Sequence, residues 1–207
     1  MSAVLISAAG CSHSAPATDF TDSELALIRE VGIRSTEASE TIPSGTMRVL
    51  TIEDNDDLTV LRAKSTDLSE KALLSEDYST LCSLMVATVT HPSQDGVGIA
   101  GPQVGLNRRV VAVQRFDKEG EPFEVYPNIR IIWSSDTLEA GPEGCLSVPD
   151  RRGDVMRSQE IVIEYTSTNG GAEGVLKTVQ ERVKGFTAVI FQHEIDHLNG
   201  ILYIDRL

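Results

Sequence analysis

Gln192-His193-Glu194-Ile195-Asp196-His197-Leu198, close to the end of the chain, decides the reading. Its two histidines stand four apart, with a glutamate directly after the first. On a helix four residues is just over one turn, so both imidazoles project from one face and can grip a single cation. Glu194 then sits beside the open coordination position. Phe191, Ile195 and Leu198 give the same helix an apolar side to bury. The spacing predicts a helix over Phe186–Leu198, ended near Gly200, that carries a metal-hydrolase signature.

A tetrahedral catalytic site needs a third protein ligand. Cysteines occur at positions 11, 82 and 145. Cys145, in Glu143-Gly144-Cys145-Leu146-Ser147, is flanked by a glycine and a loop and can be aimed. Cys82 falls in a helical apolar pattern, where a thiol behaves as a small hydrophobe, and Cys11 lies in a tract of small residues. A thiolate and two neutral imidazoles leave a divalent cation one net positive charge and an open position for water, whose pKa falls toward roughly 7. Glu194 is placed to take that water's proton and hand it to a leaving amine. Asp196 is either a hydrogen-bond partner behind the ligands or a solvated carboxylate. The donor set by itself favours zinc.

Working outward, Gly96-Val97-Gly98-Ile99-Ala100-Gly101-Pro102-Gln103 lacks the Gly-Lys-Ser/Thr ending of a phosphate cradle and the full dinucleotide spacing. It reads as a turn between helix and strand, or as glycines that let backbone approach a substrate while Gln103 points an amide into the site. Leu73, Leu74, Leu81, Leu84, Met85 and Val89 predict a helix over about residues 69–91, stopped by Pro92. Strands are expected at Met47–Ile52, Val110–Gln114, Phe123–Tyr126, Ile129–Trp133, Ile161–Thr166 and Val175–Gln180. The last pairs with its predecessor across the turn signal Asn169-Gly170-Gly171. Asp54-Asn55-Asp56-Asp57 reads as a solvated turn. Strands first and a histidine-bearing helix last make an α+β domain, with antiparallel or mixed strands packed around the C-terminal metal-bearing helix.

The bulk properties narrow the classes further. The chain's 207 residues, 41% hydrophobic, suffice for one domain with a core. A formal charge of −13, spread along the chain, argues against attraction to nucleic-acid phosphates. Unpaired cysteine spacing points to a reducing, cytoplasmic setting, and no stretch approaches the roughly 20 apolar residues of a membrane span. Residues 1–45 read as an N-terminal extension, flexible or targeting, and 46–207 as the catalytic domain. The extension holds one short helix, capped by Asp22-Ser23, with Leu25, Leu27, Ile28 and Val31 as its apolar residues and Gly32 at its end. Val4-Leu5-Ile6-Ser7-Ala8-Ala9-Gly10-Cys11 is similar to the end of a bacterial lipoprotein signal, which makes a lipid anchor on Cys11 the competing address. Against it, no Lys or Arg precedes Arg29. Because the extension stands apart from the three motifs, removing residues 1 to about 40 is expected to leave turnover within about threefold.

GVGIAGPQ, EGCLS and QHEIDHL in this order resemble the motifs of peptide deformylases, and the resemblance runs from about Met47 to the end of the chain. It implies that Cys145, His193 and His197 bind one metal and that Glu194 is the general acid/base. It also implies that Gln103 and the backbone N–H of Leu146 form the oxyanion hole. Gly98 and Gly144 would meet substrate backbone, and Val97, Val189 and Ile190 would line the methionine pocket. The implied cofactor is Fe2+, with Zn2+, Ni2+ or Co2+ able to substitute. The implied substrates are N-formylmethionyl nascent peptides, met near the ribosome by a monomer that binds no nucleic acid directly. Gly101 stands where the family usually has alanine, so alanine is expected to be tolerated there. The chain runs ten residues past His197, and the long C-terminal helix of some members is not expected. Two rivals remain: an HExxH metallopeptidase, against which the cysteine ligand counts, and a noncatalytic envelope-associated relative, against which the intact Glu194 and Gln103 count.

Overall fold

The computed structural model describes residues 16–33, 45–168 and 175–207. The tract around Cys11 and the Asn169-Gly170-Gly171 turn lie outside the described residues. Four helices come first: α1 (Asp22–Ile33), α2 (Asn55–Arg62), α3 (Glu70–Leu73) and α4 (Glu76–Val89). Strand β1 (Gly98–Ala100) runs into a 3-10 turn, Gly101–Val104, followed by β2 (Val110–Gln114), β3 (Phe123–Pro127) and β4 (Arg130–Ser134). Then come β5 (Leu138–Cys145), β6 (Val148–Ser158), β7 (Glu160–Ser167), β8 (Lys177–Lys184) and α5 (Gly185–Leu198). The named strands pair antiparallel throughout, in the orders β1-β2-β3 and β4-β7-β8 and as the hairpin β5-β6.

The position of α5 follows from the apolar pattern of the strands around it. Val110-Val111-Ala112-Val113 is continuous rather than alternating, as a strand covered on both faces must be. Val110 and Ala112 face one core with Ile28 of α1 and Leu81, Met85 and Val89 of α4. Val111 and Val113 face a second core with Ile161 and Ile163 of β7 and with Ala188, Ile190, Phe191, Ile195 and Leu198 of α5. The helix is thus wedged between two sheets. A helix buried on most sides has no solvated face, and its remaining side, carrying the two histidines, turns toward the β5-β6 hairpin. Its C-terminal end is closed by N–H groups of Gly200 and Ile201 reaching back to the carbonyls of His197 and Asp196 at 3.0 Å each, the Schellman pattern.

Several expectations change. Met47–Ile52 forms no strand: its Leu50 and Ile52 N–H groups donate singly to the Gln103 and Ser147 carbonyls, which ties it to the site instead of to a sheet. Asp54-Asn55-Asp56-Asp57 is not a solvated turn. Asp54 caps α2 through the N–H groups of Asp56 and Asp57, and the buried Asp57 carboxylate pairs with Arg48. The helix expected over residues 69–91 is two, because Ser69 and Ser75 each cap a new start. The hairpin β5-β6 had no sequence signal. In the extension, residues 16–33 are packed against the domain: Ile28 is fully buried, with Phe20, Leu27 and Val31 beside the same core. Among the described residues no helix is long and apolar enough to cross a membrane.

Candidate active site

His193 and His197, four apart on α5, meet Cys145 where β5 breaks its register at Gly144/Cys145. That irregularity lifts the thiol out of the ladder and toward the helix. One ligand atom from each residue lies within 4.8 Å of the others, and Cys145 Sγ is 3.2 Å from His197 Nε2. His193 Nδ1 is 2.8 Å from Glu143 Oε2, which leaves its Nε2 for the cluster. A thiol and two imidazole nitrogens this close fit a single divalent cation.

Sequence reasoning missed what lies behind these ligands. Arg157 of β6 donates to both Glu143 oxygens, at 2.7 and 2.9 Å, and to Asp196 at 2.6 Å. Arg206 grips the same Asp196 with two 2.6 Å bonds. Asp196 is therefore a buried partner behind the ligands and not a solvated group. The signal for Arg157 was its spacing of two from Val155, which puts both on the inward face of β6, and both are buried.

The electrostatics separate the groups. Burial opposes ionisation of Glu143, but the Arg157 and His193 hydrogen bonds outweigh it and hold the carboxyl at about 2. Burial pushes Glu194 up to about 7, and its Oε2 has no hydrogen-bond partner among the described residues. Burial would lower His193, but bonds to Cys145 and Glu143 raise it to about 10, whereas fully buried His197 is driven well below the usual histidine range. Holding a cation requires both imidazoles neutral.

Gln103 is fixed from one end. Its Oε1 accepts from Ala100 N at 2.8 Å, which turns Nε2 toward Cys145 Sγ at 3.5 Å and Ser147 Oγ at 3.3 Å. A cleft of about 790 Å³ opens over these groups, lined among others by Val97, Gly98, Gly144, Leu146, Val189 and Ile190. The structure thus brings every site residue named from the sequence to one place, with His197 at its floor, fully buried. Gly98 is there because nothing larger fits: a Cβ would lie 2.5 Å from Glu194 Oε1 and 2.9 Å from Ile190. Gly101 is as tightly held, with a Cβ position 2.7 Å from the Arg108 carbonyl oxygen and 2.8 Å from that of Leu106. Those two backbone oxygens argue against the expectation that alanine is tolerated at Gly101.

The buried helix, the thiol beside its histidines and the open cleft above them are the architecture of a metal-dependent hydrolase. Its kind is settled by likeness to known proteins. The chain belongs to the peptide deformylase family, whose model, described as polypeptide deformylase, matches residues 47–207. Peptide deformylase of Halothermothrix orenii is 37% identical over 148 residues, covering 72% of this chain and 87% of that protein. A class I type b peptide deformylase from Acinetobacter baumannii superposes with a TM-score of 0.68 at 34% identity, covering 78% of this chain and 99% of the other. A structure of that enzyme bound to Met-Ala-Ser gives 0.67 at 33% identity, over 78% and 98% of the two chains. The family's enzymes remove the formyl group from the N-formylmethionine of nascent proteins.

Proposed function

We propose that this chain hydrolyses the formyl group of N-formylmethionyl peptides at the cleft, with Cys145, His193 and His197 holding one divalent cation. The observation that carries the reading is the convergence of those three donors beside the buried Glu194 carboxylate. When bound, the cation supplies Lewis-acid activation of water and carbonyl. We assign Fe2+ as that cation, and the donor set also suits Zn2+, Ni2+ or Co2+. The buried Glu194 carboxylate takes the proton from the attacking water and delivers it to the leaving amine. Formate and a free amino terminus result. Gln103 Nε2 and the N–H of Leu146 donate to the oxygen that gains negative charge as the carbonyl is attacked. Val97, Val189 and Ile190 receive the methionine side chain, and the backbones of Gly98 and Gly144 align the peptide. The Met-Ala-Ser bound by the Acinetobacter relative supports a deformylated peptide as the product that leaves. The chain acts as a monomer on nascent chains.

The test compares a short formyl-Met peptide with its unformylated counterpart. Release of formate from the first without cleavage of either peptide bond is expected, and endopeptidase cleavage would favour the HExxH peptidase reading. Glu194→Gln should keep the metal and lose roughly 10²–10⁴-fold in kcat; a loss below about tenfold removes Glu194 from the acid/base role.

A further inference from the structure

We infer that residues 16–33, which lie before the segment matched by the family model, form a strap that positions the Gln103 turn for catalysis. The strap reaches that turn at two points. Arg108, on the loop just after the turn, is buried, and its guanidinium is committed to the strap. Its Nε and Nη2 donate to the two Glu24 oxygens at 2.6 and 2.7 Å, and Nη2 also donates to the Asp19 carbonyl at 2.6 Å. Nη1 donates to Thr18 Oγ1 at 2.6 Å and to Thr66 Oγ1 at 3.2 Å. The second point is Leu27, whose Cδ2 packs against Gly105, the residue that closes the 3-10 turn; a Cβ there would lie 3.3 Å away.

The path from strap to amide is short and stiff. The Arg108 and Leu106 carbonyls press against Gly101, the first residue of the turn, and the Leu106 N–H closes on the Gly101 carbonyl at 2.9 Å. Gln103 stands two residues on, with its carbonyl bonded to Leu50 and its side chain to Ala100. The Glu24–Arg108 pair and Leu27 therefore brace the turn from outside while the cleft leaves its inner side open. A shift of about an ångström in a group that stabilises developing charge can lower turnover as much as 10²-fold. Glu24, Leu27 and Arg108 act through Gln103 and touch no substrate, so they are positioning residues. Further contacts fasten the strap: Arg29 pairs with Asp77 of α4 through two 2.8 Å bonds, and Lys71 reaches Asp19 at 2.8 Å. On this inference the extension is not dispensable for turnover.

The inference rests on Gln103 as an oxyanion donor, and the experiment separates the two. Glu24→Ala and Leu27→Ala are made in the full-length chain, alone and combined with Gln103→Ala, and kcat, KM and bound metal are measured on a formyl-Met peptide. Each strap variant should lower kcat on the order of tenfold, less than the 10²–10³ expected for Gln103→Ala itself. KM and metal content should stay within about twofold. In the Gln103→Ala background the same variants should lose less than about twofold, because the group they position is gone. Equal losses in both backgrounds, or no loss in a folded strap variant, overturn the strap. Wild-type turnover in Gln103→Ala overturns the oxyanion reading and the strap with it. Leu27→Ala leaves the buried ion pair intact and carries the test if Glu24→Ala does not fold.

Discussion

Gly101→Ala sets two effects of opposite sign against each other. Replacing glycine restricts the unfolded chain and, where the native backbone permits, stabilises by about 0.4–1 kcal/mol. Gly101 is not among the positive-φ glycines, so its backbone conformation does not bar alanine. Space does. The added Cβ would meet carbonyl oxygens at 2.7 and 2.8 Å and Val110 Cγ1 at 3.2 Å. Neither oxygen can step back freely: Leu106 O accepts from Arg108 N at 2.7 Å and Arg108 O from Val110 N at 2.8 Å. Overpacking of this kind costs about 1–3 kcal/mol, which exceeds the entropic gain and leaves a net destabilisation on the order of 1–2 kcal/mol. In a chain of this size each kcal/mol lowers Tm by roughly 2–4 °C, so a fall on the order of 2–8 °C is expected. Turnover should fall as well, since relief of the clash moves the turn that carries Gln103. Thermal unfolding at matched metal content and kcat on a formyl-Met peptide measure the two. A Tm at or above that of the wild type, with unchanged kcat, would refute the packing argument.

Three further outcomes are expected. Cys145→Ala should lose metal and activity together, and stoichiometric metal in the purified variant, read by elemental analysis, would remove the thiol from the ligand set. Arg157→Met should destabilise by about 3–5 kcal/mol, because Glu143 and Asp196 remain buried facing the lost cation; a Tm within 2 °C of wild type, where each kcal/mol is worth roughly 2–4 °C, would show that His193 and Arg206 suffice. The strap should also carry a pH signature. Burial would raise the Glu24 pKa, but the Arg108 and Thr21 bonds prevail and hold it below the ordinary 4.5. A carboxyl lowered on folding stabilises fully above its unfolded pKa and loses that contribution as pH falls through the folded one. The stability gap between wild type and Glu24→Ala should therefore be constant above about pH 5 and narrow below 4.5. A gap that widens on acidification would contradict the ion pair.

What could be read from the chain divides along physical lines. The α5 helix and its ligand face were legible because a four-residue spacing fixes a helical face without help from the rest of the fold. Strand β8, expected at Val175–Gln180 from the turn signal before it, forms at Lys177–Lys184, paired with β7 as expected. Strands β2, β3, β4 and β7 were legible from their β-branched and aromatic runs. The β5-β6 hairpin was not: Leu138-Glu139-Ala140-Gly141-Pro142-Glu143-Gly144 has neither alternation nor β propensity, and it exists because its inner residues reach the α5 network. The same cause hid Glu143 as a functional residue. Met47–Ile52 has strand propensity but finds single carbonyls and not a partner edge, so tertiary contacts overrode the local preference. Composition did not reveal that residues 16–33 of the extension pack against the domain. Leu27, Ile28 and Val31 lie on one side of α1, with Phe20 just before the helix against the same core, and one such side is enough when a prepared surface and a buried arginine await it.

The two glutamates of the site show how one fold assigns opposite roles to one residue type. Arg157 pairs with both Glu143 and Asp196, and Arg206 with Asp196, so the charge lattice behind the ligands closes on itself. Its work is mechanical: Glu143 orients the His193 ring, and Asp196 anchors the helix turn that presents His197. Glu194 sits between those ligands in sequence and is equally buried, yet the lattice gives its Oε2 no partner. The first carboxyl is held near 2 and the second is pushed to about 7. Groups whose environments drive their pKa values apart in this way divide into fixed charge and proton carrier. A glutamine at 143 would keep the shape but weaken the orientation of His193, whereas a glutamine at 194 would keep every ligand in place and remove the buried carboxyl beside them that moves the proton.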